Sequence, residues 1–248
     1  MYRIVFLDID GTILNSHGKL EDELIRTVEK VKQHDVIFGL ATGRSLDGSI
    51  IYGEKLGCSW YVTYNGSLVL KHERIVHDVR IPAQTSYEIC SKTKKNNGTY
   101  IHFSYRTSKS NKLAHREEHL LPYPPKSDVL DTNDAAHRLS IYVDAVHRAE
   151  IQAKNMNEYV FEERDRLEVY PKGSKWTGIQ SVIDELGILP RDVITIGNGI
   201  NDVEMLEAAG LGIVIGNATS SVRASAELVV QDNDHSGVAF ALKRIFQL

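Results

Sequence analysis

The chain has 248 residues, of which 42% are hydrophobic and 25% are charged, as in an ordinary globular protein with its own core. The 29 basic and 33 acidic residues leave a formal net charge of −4, which argues against a nucleic-acid-binding protein. No apolar stretch is as long as a membrane span, and the chain opens directly on a predicted strand. We therefore expect a cytoplasmic protein that has no signal peptide and binds no membrane.

Short apolar runs alternate with helical patterns at both ends of the chain. The N-terminal part predicts strands over residues 3–9, 36–42 and 60–64, with helices over 21–33 and up to about residue 56. The C-terminal part predicts helices over 175–186 and 201–209, strands over 192–196, 212–215 and 228–230, and a final helix. Because the strands are continuously apolar, the pattern predicts an α/β fold whose Rossmann-like parallel sheet carries helices on both faces.

The middle of the chain has a different pattern. An amphipathic stretch over residues 86–95, alternating segments over 100–105 and 139–143, and a proline-rich loop over 121–126 precede two strands joined by a short turn. Helices mixed with antiparallel hairpins predict an inserted α+β domain. We expect this domain to span residues 82–171, between the two parts of a core formed by residues 1–81 and 172–248.

The first predicted strand ends in Asp8-Ile9-Asp10-Gly11-Thr12. Two carboxylates one residue apart on a strand point the same way and repel each other, so a divalent cation is a natural partner for them. Gly11 permits a tight turn whose backbone N–H groups can face an anion. Alone, the motif is also compatible with a simple polar turn.

Two further segments predict groups that bind an anion. Thr42-Gly43-Arg44 follows the second strand and offers a hydroxyl, a glycine amide and a helix N-terminus. Lys175 stands at the start of the helix after the insert, where a cation opposes the helix dipole and so invites a functional reason. Lys172 is a nearby rival for the role of Lys175. The segment from Thr42 to Arg44 is also compatible with a helix cap followed by an exposed arginine.

The strand over residues 192–196 runs into Gly197-Asn198-Gly199-Ile200-Asn201-Asp202, a cluster of oxygen donors with flexible glycines. Asp202 alone is as compatible with a helix cap as with a metal ligand. However, the four motifs together fall at the carboxyl ends of four predicted strands of one parallel sheet. Ligands of such sheets bind at the carboxyl ends of the strands. The set is therefore far more specific than any of its members.

These motifs, in this order and spacing, resemble those of haloacid dehalogenase (HAD) superfamily phosphatases of the Cof type, and the resemblance covers nearly the whole chain. The Asn65-Gly66 turn also resembles a turn of that family. The resemblance implies Asp8 as a nucleophile that forms an aspartyl-phosphate and Asp10 as the general acid and base. It further implies that Thr42 and Lys175 hold the phosphoryl oxygens and that the insert is a cap that selects the substrate.

The resemblance also implies a Mg²⁺ cofactor and a small phosphorylated metabolite, such as a sugar phosphate or a phosphorylated cofactor, as substrate. The implied metal ligands are Asp8, Asp10, Asn198 and Asp202, and the implied substrate and phosphate contacts are Gly11, Gly43, Arg44, Asn65 and Asn201. We expect a monomer or a homodimer.

One departure from the family pattern is Asn198, where the family usually has a metal-binding Asp. An amide oxygen can coordinate Mg²⁺ but brings no charge, so we expect weaker Mg²⁺ binding. The alternative function is that of a catalytically impaired protein that binds phosphorylated ligands or regulates a partner.

Overall fold

The computed structural model describes residues 2–112, 126–127, 133–154, 159–163 and 165–248. Most of the predicted proline-rich loop lies outside them. The described strands of the protein are β1 (Ile4–Leu7), β2 (Ile37–Ala41), β3 (Trp60–Thr63), β4 (Leu68–Lys71), β5 (Arg74–Asp78), β6 (Thr99–Ser104), β7 (Thr107–Ser110), β8 (Lys126–Ser127), β9 (Arg138–Tyr142), β10 (Tyr159–Glu163), β11 (Arg166–Tyr170), β12 (Val193–Gly197), β13 (Leu211–Val214) and β14 (Leu228–Val229). Its described α-helices are α1 (Asp22–Lys32), α2 (Asp47–Leu56), α3 (Ala83–Lys95), α4 (Ala145–Lys154), α5 (Lys175–Leu186), α6 (Val203–Ala208), α7 (Ser220–Arg223) and α8 (Gly237–Phe246).

The chain forms two compact units. The first comprises residues 1–44, 49–77 and 174–248, and the second comprises residues 45–48 and 78–173. The assignment of these parts as a catalytic core and a substrate-selecting cap stays a prediction. Within the described residues, none of the helices combines the length and the apolarity that a membrane span requires.

The first unit is built on an eight-stranded sheet in the order β14-β13-β12-β1-β2-β3-β4-β5. The strands from β14 to β3 pair in parallel, which confirms the predicted Rossmann-like sheet, whereas β4 pairs antiparallel with β3. The β4–β5 hairpin is not among the elements predicted from the sequence. Its turn contains His72 at φ 53°, where glycine or asparagine would be the usual signal.

Both faces of this sheet are covered. Ile4 and Phe6 of β1 lie in a core cluster with Ile179 of α5 and Met205 of α6. Val5 and Leu7 point to the opposite face, since side chains alternate along a strand, and both are fully buried. The continuous apolar run of β1 thus follows from burial on two sides, which is why it could be recognised from the sequence.

The second unit contains a mostly antiparallel sheet in the order β10-β11-β9-β6-β7-β8. One face packs against α3 and α4 through a cluster of buried side chains that includes Tyr100, Leu139, Leu167, Ile89 and Ile151. The predicted α+β character of the insert is therefore confirmed. Helix α4 is not among the elements predicted from the sequence.

Candidate active site

The predicted site residues of the first unit follow four neighbouring parallel strands. Asp8 follows β1, Thr42 follows β2, Tyr64 and Asn65 follow β3, and Asn198 follows β12. Because parallel strands end at the same edge of a sheet, these loops lie beside one another. Hydrogen bonds between the loops join them into one site.

A buried ammonium group connects two of the predicted motifs. Lys175 Nζ lies 2.6 Å from Asp8 Oδ1 and 2.6 Å from Asp202 Oδ1. The exposed fractions of Lys175, Asp8 and Asp202 are 1%, 5% and 0%. Charged groups this deeply buried are tolerated only when they are paired and hydrogen-bonded. The three residues therefore form a fixed charged centre.

The environment of this centre changes the pKa of two of its members. Burial raises the pKa of Asp8 to about 7, although the adjacent Lys175 lowers it. Burial lowers the pKa of Lys175, but the carboxylates of Asp202 and Asp8 outweigh that effect and raise it to about 12. Lys175 therefore stays protonated at neutral pH, and a further cation beside Asp8 would favour its ionised form.

Local sequence explains why Lys175 lies here. Ser174 caps helix α5 in a capping box with Thr177, so Lys175 is the first helical residue. Gly66 adopts φ +96°, and a Cβ on it would lie 2.0 Å from the carbonyl oxygen of Ser174. Only glycine lets the turn after β3 approach the helix start this closely. The rival Lys172 is exposed.

Asp202 holds the loop that follows β12. Its Oδ2 accepts hydrogen bonds from the backbone N–H groups of Asn198 (2.9 Å) and Gly199 (2.8 Å), while Oδ1 accepts from Lys175. Both carboxylate oxygens are thus engaged in positioning the loop and the lysine. The proposed role of Asp202 as a metal ligand, direct or through water, stays a prediction.

Two residues that the sequence analysis did not select contact the site. The hydroxyl oxygen of Thr12 lies 3.1 Å from Asp8 Oδ2 and 3.1 Å from Asn198 Oδ1. Asn217 Nδ2 donates to the carbonyl oxygen of Gly11 at 2.9 Å, and Gly11 itself adopts φ +72°. Asn217 lies three residues after Val214, the last residue of β13, so its place after a parallel strand was an available signal.

Asp10 and Arg44 form a two-pronged ion pair. Arg44 Nε lies 2.8 Å from Asp10 Oδ2, and Arg44 Nη2 lies 2.6 Å from Asp10 Oδ1. The guanidinium also stacks 5.3 Å from the centre of the Tyr52 ring. The structure therefore places Arg44, which was predicted to bind phosphate, on the predicted general acid and base.

The loops after β2, β3 and β12 are tied together by polar contacts. The backbone N–H of Asn65 donates to the carbonyl oxygen of Thr42 at 3.0 Å, and Asn201 Nδ2 donates to Asn65 Oδ1 at 2.9 Å. Within the described part of the chain, Asn65 Nδ2 is buried without a partner. Thr42 Oγ1 accepts from the backbone N–H of Arg44 at 3.1 Å, so its own proton remains available. Gly43 lies in the same turn, half-buried.

The oxygen atoms present fit a hard cation such as Mg²⁺. Asp8 Oδ2 and Asn198 Oδ1 converge on the same Thr12 hydroxyl, and carboxylate and amide oxygens are ligands that Mg²⁺ accepts. Among the described residues, no three His, Cys, Asp or Glu side chains are grouped to hold a metal ion. The donor set is thus a mixed one, in which Asn198 supplies an uncharged oxygen.

Comparison with known proteins identifies the relatives of this chain. A model of the haloacid dehalogenase-like hydrolases matches residues 5–242. The phosphoglycolate phosphatase of Methanopyrus kandleri is 27% identical, with 100% of this chain and 98% of that protein covered. The 5-amino-6-(5-phospho-D-ribitylamino)uracil phosphatase YcsE of Bacillus subtilis is 25% identical, with 97% and 94% covered. A hypothetical protein of Geobacillus kaustophilus has a similar structure, with a TM-score of 0.91, 26% identity and full coverage of both chains.

Proposed function

The chain belongs to the haloacid dehalogenase-like hydrolases, and on that premise we propose that it is a Mg²⁺-dependent phosphatase of small phosphomonoesters. The observation that carries the proposal is the buried Lys175 ammonium between the carboxylates of Asp8 and Asp202. It holds one oxygen of Asp8 and leaves the other near Thr12 and Asn198. Such a fixed, partly neutralised carboxylate suits an attacking nucleophile.

In the first half-reaction, a carboxylate oxygen of Asp8 attacks the phosphorus atom of the substrate. The bond between phosphorus and the ester oxygen breaks, and the leaving oxygen takes its electron pair and a proton from the Asp10 carboxyl. Lys175 and the Thr42 hydroxyl donate to the phosphoryl oxygens, where negative charge concentrates in the transition state. The products are the free alcohol and an aspartyl-phosphate on Asp8.

In the second half-reaction, water attacks the phosphorus of the aspartyl-phosphate. Asp10, now ionised, accepts the proton of that water, and the bond between phosphorus and the Asp8 oxygen breaks. Inorganic phosphate leaves and both carboxyl groups return to their starting states. Asn65 supports this assignment because its buried Nδ2 has a hydrogen to donate to an oxygen of the phosphoryl group.

The cation would be held by Asp8, Asn198 and the backbone carbonyl of Asp10, with Asp202 placing the loop that carries Asn198. When bound, Mg²⁺ offsets the negative charge of the carboxylates and of the phosphoryl group. We assign substrate selection to the inserted domain, residues 82–171. The names of the two relatives suggest phosphoglycolate and a phosphorylated ribitylaminouracil as first candidates beside sugar phosphates.

The test is phosphate release from para-nitrophenyl phosphate and from a panel of these metabolites, with Mg²⁺ and with EDTA. The proposal expects turnover that requires Mg²⁺ and disappears in Asp8→Asn. A covalent phosphate should appear on Asp8 in rapidly quenched wild-type protein and be absent from the variant.

The outcome that contradicts the proposal is a folded wild-type protein without turnover on any substrate. Tight binding of a phosphorylated ligand under those conditions would instead favour the impaired, ligand-binding protein that Asn198 suggests. A panel that is turned over equally in EDTA would reject the Mg²⁺ requirement and leave the nucleophile to be tested by quenching.

A further inference from the structure

The ion pair of Arg44 with Asp10 differs from an ordinary surface pair. The side chain of Asp10 is 63% exposed and that of Arg44 is 25% exposed. A carboxylate this exposed would sample several rotamers in water. Arg44 contacts both of its oxygens at once, and such a bidentate fork fixes the plane of the carboxylate as well as its position.

Arg44 is itself held from several directions. Its backbone N–H donates to Thr42 Oγ1, and its carbonyl oxygen accepts from the backbone N–H of Tyr64 at 3.0 Å. The Tyr52 ring supports its guanidinium. The ion pair therefore couples the position of the Asp10 side chain, on the loop after β1, to the loops after β2 and β3.

The fork also decides which lone pairs of Asp10 can react. Each carboxylate oxygen has two lone pairs, and Arg44 occupies one on each oxygen. The remaining lone pairs point in fixed directions and are the ones that can carry a proton to or from a reacting oxygen. Proton transfer is sensitive to such orientation, because donor and acceptor must align within hydrogen-bond distance.

We propose that Arg44 is a positioning residue that orients the Asp10 carboxyl for proton transfer, rather than a contact of the phosphate. This inference rests on the proposed phosphatase function. Its consequence is selective. Substrates with poor leaving groups need the proton of Asp10, whereas a nitrophenolate leaves without much help, so loss of the fork should harm the first class far more.

The experiment compares wild type, Arg44→Lys, Asp10→Asn and the double variant, each with Mg²⁺, on glycerol phosphate and para-nitrophenyl phosphate. Lysine keeps the charge but offers a single point donor in place of a fork. We expect Arg44→Lys to lower kcat about 30-fold on glycerol phosphate and no more than about 3-fold on para-nitrophenyl phosphate. The inhibition constant of inorganic phosphate should not change.

The double variant tests whether Arg44 acts through Asp10. If it does, adding Arg44→Lys to Asp10→Asn should cost nothing further, since residues that act as one unit are not additive. Tyr52→Leu removes the support of the guanidinium and should show the same leaving-group dependence at smaller size. It also serves as the second variant if Arg44→Lys folds poorly in thermal unfolding.

If Arg44→Lys lowers kcat equally on both substrates, or if its loss multiplies with that of Asp10→Asn in the double variant, Arg44 is not a positioning residue. Either result would leave the proposed phosphatase function unaffected. A weaker inhibition by inorganic phosphate at unchanged kcat would return Arg44 to phosphate binding. A folded wild-type protein that turns over neither these two substrates nor any metabolite of the panel would instead reject the proposed function, and the positioning role with it.

Discussion

Both compact units bury charged side chains, but they do so in different places. In the first unit, Lys175 at the start of α5 lies between Asp8, which follows β1, and Asp202, which lies in the loop after β12. In the second unit, Glu168 is 1% exposed and pairs with Arg166. Its two carboxylate oxygens share one hydrogen bond from the Ser140 hydroxyl, whose Oγ lies 2.9 and 3.0 Å away.

The two groups of buried charges differ in which parts of the chain supply their members. Glu168 and Ser140 are opposite each other on adjacent strands of one sheet, and Arg166 is two residues from Glu168 on the same strand face. Such a cluster is satisfied by its own sheet. The centre around Lys175 instead joins loops at the carboxyl edge of a parallel sheet, where ligands bind. Buried charge alone therefore does not identify a site.

The largest expected effect is on turnover, and it comes from a change in the first cluster, the charged centre of Lys175, Asp8 and Asp202. Asp8→Asn should lower turnover by about 10⁴-fold or more, since it removes the nucleophile. Because burial already raises the pKa of Asp8, a neutral amide should be tolerated and the unfolding free energy should change little. Phosphate release and urea unfolding measure the two quantities. A variant that is inactive only because it is unfolded would contradict the expectation.

The matching change in the second cluster is Glu168→Gln. It should lower the free energy of unfolding by roughly 3 kcal/mol, because it removes the buried negative charge that pairs with both Arg166 and Arg138. Turnover per folded molecule should stay within a few-fold of wild type. If activity falls while urea unfolding is unchanged, the second cluster is part of the reaction and the contrast between the two clusters is wrong.

The sequence predicted the first cluster better than the second for a physical reason. Asp8, Thr42 and Asn198 each follow an apolar strand, so parallel topology alone brings their loops together. Thr12 and Asn217 also follow strands, but they were missed because their roles depend on individual side-chain contacts, which position after a strand does not predict. Glu168 lies within a predicted strand, but nothing in its spacing told which face of the sheet would be buried.

The burial of His137 makes the stability of the second unit depend on pH. His137 is fully buried with Nε2 3.0 Å from Asp78 Oδ1, and burial lowers its pKa to about 4. In the unfolded chain a histidine binds its proton near pH 6.5. The unfolded state thus binds more protons between these values, so stability is present above pH 6.5 and is lost as pH falls toward 4.

The expected loss from His137 is about 2 kcal/mol between pH 7 and pH 5, measured as urea unfolding at the two pH values. The neighbouring Arg80 stays charged in this range, whereas burial also lowers the pKa of His102 and adds to the loss. His137→Gln should remove the His137 part only. An unchanged pH dependence in that variant would reject the assignment.

A smaller effect is expected at Asn198. Asn198→Asp should strengthen Mg²⁺ binding about tenfold, because a carboxylate adds charge to the donor set. Titration calorimetry measures this without relying on turnover, and Asn198→Ala is the matched control that removes the oxygen. Equal affinity of wild type and Asn198→Asp would contradict the expected weaker binding by the amide, and equal affinity of wild type and Asn198→Ala would show that this position does not bind the metal.

The smallest effect concerns the chemical stability of Asn198. An asparagine before a glycine deamidates when the next backbone nitrogen attacks its side-chain carbonyl and expels ammonia. Water then opens the cyclic imide, which would leave Asp or isoaspartate at position 198 over time. In the folded chain that nitrogen, on Gly199, donates its hydrogen to Asp202 Oδ2 at 2.8 Å, and the Asn198 side chain is held at Thr12. The attacking atom is therefore restrained, and we expect the folded protein to deamidate several times more slowly than the chain in urea.

Peptide mass spectrometry after timed incubation measures both rates. The variant Asp202→Ala, checked to be folded, should bring the deamidation rate of the folded protein toward the rate in urea. Equal rates in the folded and unfolded protein would mean that the bond to Asp202 does not protect this position, and that this loop opens as readily as an exposed segment does.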